Sequence, residues 1–148
     1  MLSISHSLTG AFIATHVPNP LLSVPLIFAA HYLEDWIPHW DIGTGLSNGT
    51  RAKSTAMKLE VIDLIITFGL VFWFWQLGHV AINYYAWMGA GIGIIPDFLE
   101  APRNFLKWEP KPIKYFNEVH GFFHHSTPSK IFGLIPQAII VVAIYFMR

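Results

Sequence analysis

The sequence predicts an all-α fold: a polytopic membrane helical bundle of about five helices, four to five of them spanning, in one domain over residues 1–148. Composition is the first observation behind this prediction. The chain is 53% hydrophobic and 12% charged, whereas an ordinary soluble domain is about 45–50% apolar and about 25% charged. So few charges would leave a water-facing surface with large apolar patches. The second observation is five apolar stretches of helical length.

A pair of prolines separates the first two predicted helices. Helix one covers about residues 3–17 and ends at the Pro18-Asn19-Pro20 break, because prolines stop one helix and open the next. The chain start lacks the basic segment and the continuous apolar run of a cleaved signal, so helix one is expected in the mature protein. Helix two covers about residues 20–36, and Pro25 in its first turns predicts a tilt or a kink.

The third and fourth predicted helices follow a polar loop. Residues 41–55 are rich in Gly, Ser, Thr and Asn, which favours a loop. Helix three, about residues 57–77, is the clearest predicted span, because its long apolar run contains only Asp63 as a charge and closes in an aromatic belt. Helix four covers about residues 80–98. Its small residues predict a smooth face for another helix, formed by Gly89, Gly91 and Gly93.

A charged loop over residues 99–127 precedes the last predicted helix. Thr127-Pro128 is typical of a helix start, with proline at the first helical position, and helix five then runs to about residue 147. Five spans place both long loops, and with them eight of the nine basic residues, on the side of the N-terminus. By the positive-inside rule this side is cytoplasmic. We therefore expect an inner or plasma membrane protein with a cytoplasmic N-terminus.

Charge and cysteine content exclude several classes of function. Nine basic residues against nine acidic ones give a formal net charge of zero, and no dense basic stripe is present, so nucleic acid is not an expected partner. Cysteine is absent, which excludes disulfides, thiolate metal sites and a cysteine nucleophile. Any chemistry must use His, Asp and Glu.

The carboxylates and six of the eight histidines fall on or near the predicted cytoplasmic face. Ionisable groups near hydrocarbon are costly, and they usually pair, line a cavity or bind an ion. His31 and Asp35 are four residues apart and share one helix face. Three other segments supply the remaining candidate metal ligands: His6, Asp97, His120 and His125. Nitrogen and oxygen donors of this kind fit a divalent metal such as zinc, manganese or iron.

Three further residues are candidates for catalytic proton transfer: Asp41, Glu34 and His124. A carboxylate or imidazole that does not bind the metal could act as general base or acid, or it could orient a metal-binding histidine. His39 lies beside Trp40 and is interpreted as an interfacial residue, as are His16 and His79. An interfacial position is also the alternative for each of the other histidines.

The segment His120-Gly-Phe-Phe-His-His125-Ser126 resembles the His-Arg-x-x-Thr-His-Ser motif of the small YdjM-like integral membrane proteins, a family of metal-dependent hydrolases. Ser5-His6, Pro96-Asp97 and His31-x-x-x-Asp35 are similar to the Thr-His, Pro-Asp and His-x-x-x-Asp motifs of that family. The resemblance implies a helical membrane protein that binds a divalent metal and hydrolyses an ester or phosphoester. Two features differ from the family: Gly121 replaces its arginine, and the order of the motifs is permuted.

The sequence supports two classes of function. The first is a hydrolase whose metal lowers the pKa of a bound water, with membrane lipids or a lipid-linked phosphate as the natural substrate class at a membrane surface. The alternative is a non-catalytic small membrane subunit that docks to a larger membrane complex or forms a homo-oligomer, which the small size and the aromatic surface favour. An ion or proton carrier and a haem protein are further alternatives.

Overall fold

The fold is described by a computed structural model for residues 1–46 and 48–148. Within these residues the structure has seven α-helices, one short π-helix (Pro102–Leu106) and no β-strand. The α-helices are α1 (Ser3–His16), α2 (Pro20–Trp36), α3 (Lys53–Trp75), α4 (Tyr84–Gly93), α5 (Ile95–Ala101), α6 (Lys111–Phe123) and α7 (Lys130–Met147). The chain is therefore all-helical, with more and shorter helices than the five that the sequence predicts.

The additional helices arise in the second half of the chain. Predicted helix four is divided, because α4 ends at Gly93 and α5 starts beside Pro96, a residue without the N–H that a continuous helix needs. The predicted loop 99–127 contains α6. In this helix Lys114 and Glu118 are exposed and His120 is buried. The charged residues that favoured a loop therefore form the exposed face of an amphipathic helix.

The prediction of four to five membrane spans is wrong. Of the helices that the structure describes, only α7 is long and apolar enough to cross a membrane. The others fall short: α1, α2 and α4 have 14, 17 and 10 residues, whereas a span needs about 20. α3 has 23 residues, but every 18-residue stretch of it contains Lys58, Glu60 and Asp63. The apolar residues are distributed over helices that are short or interrupted by charge.

Glycines allow α1 and α4 to cross in close contact. A Cβ atom at Gly89 would lie 2.2 Å from the carbonyl oxygen of Gly10, and one at Gly93 would lie 2.2 Å from that of His6. The predicted close approach is confirmed for these two positions. Gly91 takes no part, since no atom lies within 4 Å of the position its Cβ would occupy. The crossing sets the backbone of α4 directly against His6.

Apolar and ionisable residues are distributed unusually. The small apolar core joins α1, α3, α4 and α7 and consists of Leu8, Ala11, Val71, Phe74, Trp75, Ala86, Ala90 and Ile144. The outer faces of α2, α3 and α7 expose large apolar side chains, such as Leu21, Ile65 and Phe132. Several histidines and aspartates are fully buried instead. The interior is thus polar at one end of the helices, while much of the exterior is apolar.

α7 holds the chain segment that follows α2. A Cβ atom at Gly133 would lie 2.2 Å from the Trp40 nitrogen, and the Trp40 N–H donates to the Gly133 carbonyl at 3.1 Å. Gln137 is buried, donates to the Trp40 carbonyl at 2.7 Å and accepts from the Leu2 N–H at 2.8 Å. The candidate membrane helix is therefore fixed to the backbone of Trp40 and of Leu2.

Candidate metal centre

Three helices bring four metal-ligating side chains together in the interior. His6 comes from α1, His31 and Asp35 from α2, and Asp97 from α5. One ligand atom from each lies within 4.8 Å of all the others, so these four residues, here called the first donor group, could hold a metal ion. His120 of α6 adjoins the group and is also fully buried.

Asp35 stands at the centre of the first donor group. Its Oδ1 lies 3.2 Å from His6 Nε2, and its Oδ2 lies 3.3 Å from His31 Nε2 and 3.0 Å from His120 Nε2. Asp97 faces the same imidazoles, at 3.7 Å from His6, 3.8 Å from His31 and 3.4 Å from His120. Two carboxylates therefore share three histidines, as metal centres with nitrogen and oxygen ligands require.

The His31 ring is held in the orientation of a metal ligand. Its Nδ1 lies 2.8 Å from the carbonyl oxygen of Gly93; since a carbonyl can only accept, Nδ1 carries the hydrogen and Nε2 the lone pair. That lone pair points toward Asp35 and toward His120 Nε2, which is 3.4 Å away. A nitrogen lone pair that faces a carboxylate oxygen needs a proton or a cation between the two atoms. The arrangement of His31 and Asp35 therefore suits a bound cation.

His6 is oriented by a second carboxylate. Its Nδ1 lies 2.8 Å from Glu34 Oε2, and the other oxygen of Glu34 accepts from the Thr9 hydroxyl. The amino group of Met1 contacts Asp35 Oδ1 and lies 2.9 Å from His6 Nε2. The donor atoms of the first group thus already face a positive charge in this structure.

The pKa values describe an ionised carboxylate among imidazoles that differ in protonation state. Burial alone would raise the pKa of Asp35, but the Met1 ammonium and His6 outweigh it and hold that pKa well below its usual range. Burial lowers the pKa of His31 and of His39. Burial and the Met1 ammonium oppose protonation of His6, yet Asp35 raises its pKa to about 9. Asp35 is therefore ionised beside unprotonated His31 and His39, whereas His6 is protonated at neutral pH and would release its proton to a divalent cation.

A second donor group shares Asp35 with the first. It consists of Asp35, His39 and His124, whose ligand atoms also lie within 4.8 Å of one another. His39 Nε2 is 3.6 Å from Asp35 Oδ1 and 3.2 Å from His124 Nε2. Asp41 adjoins this group, with Oδ2 at 3.4 Å from His39 and 3.1 Å from His124.

A cavity of about 270 Å³ opens beside both donor groups. Asp97, Asp41 and His124 line it, as does Arg103, which pairs with Glu100. The rest of its wall is partly apolar and includes Ile42, Leu46, Phe98 and Phe105. The cavity can therefore admit a ligand with one polar and one apolar part.

The structure brings five of the six predicted metal ligands together: His6, His31, Asp35, Asp97 and His120. The sixth, His125, is exposed, and its Nδ1 lies 3.0 Å from the Trp36 carbonyl oxygen. The chain is extended after α6, so neighbouring side chains point to opposite sides. His124 faces Asp41 for this reason, while His125 faces away.

The predicted proton-transfer residues have different surroundings. Asp41 and His124 line the cavity, whereas Glu34 lies behind His6 and does not line it. The interfacial interpretation of His39 is wrong, because this residue is fully buried in the second donor group. No helical spacing in the sequence identifies it, because α2 ends at Trp36 and His39 lies on the extended segment that pairs with Ser126.

We compared the chain with known protein families, curated proteins and solved structures, and found no match. The site and the fold therefore define the class of protein: among the residues that the structure describes, the chain is all-helical, has a buried His/Asp cluster that could hold a metal ion, and has one helix apolar enough to span a membrane.

Proposed function

We propose that this protein is a membrane-anchored, metal-dependent hydrolase that cleaves an ester or phosphoester bond, with a lipid or lipid-linked molecule as substrate. One observation carries the proposal: imidazole lone pairs and carboxylate oxygens converge on Asp35 next to an open cavity. Buried acceptors that face one another need a cation, and a bound metal ion would take the position beside Asp35 and His6 that the Met1 ammonium has in this structure. A metal centre beside a cavity is the usual arrangement of a metallohydrolase.

The ligands fit zinc, manganese or iron, since all of them are imidazole nitrogens or carboxylate oxygens. His6, His31, Asp35, Asp97 and His120 would hold the ion. When bound, such an ion supplies a Lewis acid and lowers the pKa of a water molecule. In hydrolysis the water oxygen forms a bond to the carbonyl carbon or to phosphorus, the bond to the alcohol oxygen breaks, and that oxygen takes up a proton.

The protein's own residues orient the ligands and move protons. Glu34 orients His6 through the contact at Nδ1, which fits a supporting role better than the catalytic role predicted for it. Asp41 and His124 lie 3.1 Å apart on the cavity wall. In a site with one ion this pair could take a proton from water and return it to the leaving alcohol. Arg103 on the same wall favours an anionic substrate.

Membrane anchoring through α7 follows from its composition and its exposed side chains. Its 18 residues contain no charge after Lys130, and large apolar side chains cover its outer face. Eight of the nine basic residues lie at or before its start, and only Arg148 follows it. By the positive-inside rule, we place the N-terminus and the metal centre on the cytoplasmic side of an inner or plasma membrane.

Kinship with the YdjM-like hydrolases is part of this proposal. All four segments that resemble that family contribute to the donor groups, through His6, His31 with Asp35, Asp97, and His124, and His120 of the fourth segment adjoins the first group. Gly121, at the position of the family's arginine, is exposed and has open space around it. Arg103 on the cavity wall could supply the missing positive charge.

Hydrolysis and metal content together test the proposal. We would measure both on the purified full chain with a panel of phospholipids and phosphate esters, comparing wild type with Asp97→Ala and His31→Ala. We expect bound metal in the wild type, and activity lowered by at least about 100-fold in both variants. His125→Ala is the matched control and should keep metal and activity. Unchanged turnover in Asp97→Ala, with folding intact, would refute the hydrolase.

The exposed apolar faces of α2 and α3 favour one other function, a non-catalytic subunit of a larger membrane complex. In that case the donor groups would have a structural role. Stoichiometric co-purification with a partner would support this function over the hydrolase. The same holds if a chelator has no effect on the turnover of any substrate tested.

A further inference from the structure

The second donor group brings its own imidazole and carboxylate acceptors together. His39 Nδ1 lies 2.8 Å from the Ile37 carbonyl oxygen, so Nδ1 carries the hydrogen and Nε2 the lone pair. That lone pair faces Asp41 Oδ2 at 3.4 Å, Asp35 Oδ1 at 3.6 Å and His124 Nε2 at 3.2 Å. His39 is fully buried, so these three side chains are its surroundings at Nε2.

Asp41 directs its second oxygen into the same space. Its Oδ1 accepts from the Thr44 N–H at 2.6 Å and from the Thr44 hydroxyl at 3.2 Å. Its buried Oδ2 lies 3.1 Å from His124 Nε2 and 3.4 Å from His39 Nε2. A carboxylate that is held through one oxygen and faces two imidazole nitrogens with the other is placed to bind a cation together with them.

Backbone hydrogen bonds hold the second donor group in place. The His39 N–H donates to the His125 carbonyl at 3.1 Å, and the Thr127 N–H donates to the His39 carbonyl at 2.7 Å. The His125 N–H donates to the Asp35 carbonyl at 2.9 Å. These bonds pair the segment after α2 with the segment after α6, so the three side chains are positioned before any ligand binds.

We propose that the second donor group, with Asp41, binds a second divalent ion and that Asp35 bridges the two ions. This inference rests on the metal centre of the proposed function. Asp35 Oδ1 lies between His6 Nε2 and His39 Nε2, at 3.2 Å and 3.6 Å, and its Oδ2 faces His31. A carboxylate shared by two histidine sets is the usual bridge of a two-metal centre.

In a two-ion centre Asp41 and His124 are ligands. Glu100, which lines the cavity and lies 3.9 Å from His120 Nδ1, is then available for proton transfer.

Metal stoichiometry tests the inference. The full-length protein, first stripped of metal, is titrated with Zn²⁺ and analysed by mass spectrometry after removal of the excess. We expect two ions per chain in the wild type, one in His124→Ala and Asp41→Asn, and one in His31→Ala. His125→Ala should keep both ions. Circular dichroism shows whether each variant is folded.

Manganese gives a second readout that does not depend on activity. Two Mn²⁺ ions bridged by Asp35 should give an exchange-coupled electron paramagnetic resonance spectrum in the wild type, and His124→Ala should give the signal of an isolated ion. One ion per chain, kept in His124→Ala and lost in His31→Ala, would overturn the second site and leave the hydrolase intact. Two bound ions without hydrolysis of any substrate would support the second site and overturn the hydrolase. No bound ion in the folded wild type would overturn both.

Discussion

The two donor groups meet at Asp35 but are built in different ways. In the first, His6, His31 and Asp97 stand on helices, and their spacing depends on how closely those helices approach. In the second, His39 and His124 lie on extended segments that backbone hydrogen bonds hold together. The candidate metal centre is therefore held partly by helix packing and partly by backbone hydrogen bonds between two extended segments.

This difference affects how firmly each group is held. The close crossing of α1 and α4 cannot relax without moving whole helices, because backbone atoms lie in contact there. The extended segments depend on a few hydrogen bonds, each worth about 1 kcal/mol, and on α7. We therefore expect the first donor group to be the more rigid half of the centre.

Removal of metal should have the largest effect on activity and stability, and it should distinguish the two donor groups. A chelator should abolish hydrolysis and lower the free energy of unfolding by about 4 kcal/mol for an ion present at about 1,000 times its dissociation constant. Because its support is weaker, the second donor group should release its ion first. Thermal unfolding and metal analysis during stepwise chelation would measure both effects. Stability that does not respond to chelator or to added Zn²⁺ would contradict the expectation.

Gly93→Ala should disrupt the first donor group selectively. The new Cβ atom would lie 2.2 Å from the His6 carbonyl oxygen, so α1 and α4 must separate, at a cost of about 3 kcal/mol. Gly91→Ala is the matched control, because that position is open and alanine is the better helix former by about 1 kcal/mol. Chemical denaturation of both variants would measure the difference. Equal stability of the two would show that the helix crossing is not tight.

Asp63→Asn should change the pH dependence of stability through the start of α1. Asp63 Oδ2 accepts from the Ser3 N–H at 2.7 Å, and burial raises the pKa of this carboxyl from 3.8 to about 6. A raised pKa contributes stability that is complete below pH 4 and is lost as pH rises through about 6. Asparagine keeps the acceptor oxygen and cannot ionise.

The wild type should therefore lose up to about 3 kcal/mol relative to Asp63→Asn between pH 4 and pH 7. Denaturation of both proteins across this range measures the change, and the comparison cancels the titration of groups that the two share. A difference that stays constant with pH, or that grows in favour of the wild type, would contradict the assigned pKa shift.

Gln137→Leu should weaken the second donor group by a smaller amount. It removes the bond to the Trp40 carbonyl and leaves the Leu2 N–H without its acceptor, at a cost of about 2 kcal/mol. Gln76→Leu is the matched control, since Gln76 also bonds backbone groups, those of His79, Ala81 and Asn83. We expect Zn²⁺ affinity to fall only in Gln137→Leu. A similar fall in both variants would assign the effect to general destabilisation.

Much of the first donor group could be predicted from the sequence. Helical spacing places His31 and Asp35 on one face, and α2 has the predicted bounds. The choice between His124 and His125 could not be predicted, because it depends on where α6 ends and the chain becomes extended. The burial of His39 depends on pairing with residues far along the chain.

The sequence by itself determined the kinds of chemistry available: His and carboxylate donors, and no thiol. It also indicated the local spacing within α2. Only the tertiary structure decided that Asp35 serves two groups of histidines, because its partners His6 and His120 are 29 and 85 residues away along the chain. Local periodicity determines which face a side chain occupies, whereas packing of distant segments determines what that face meets.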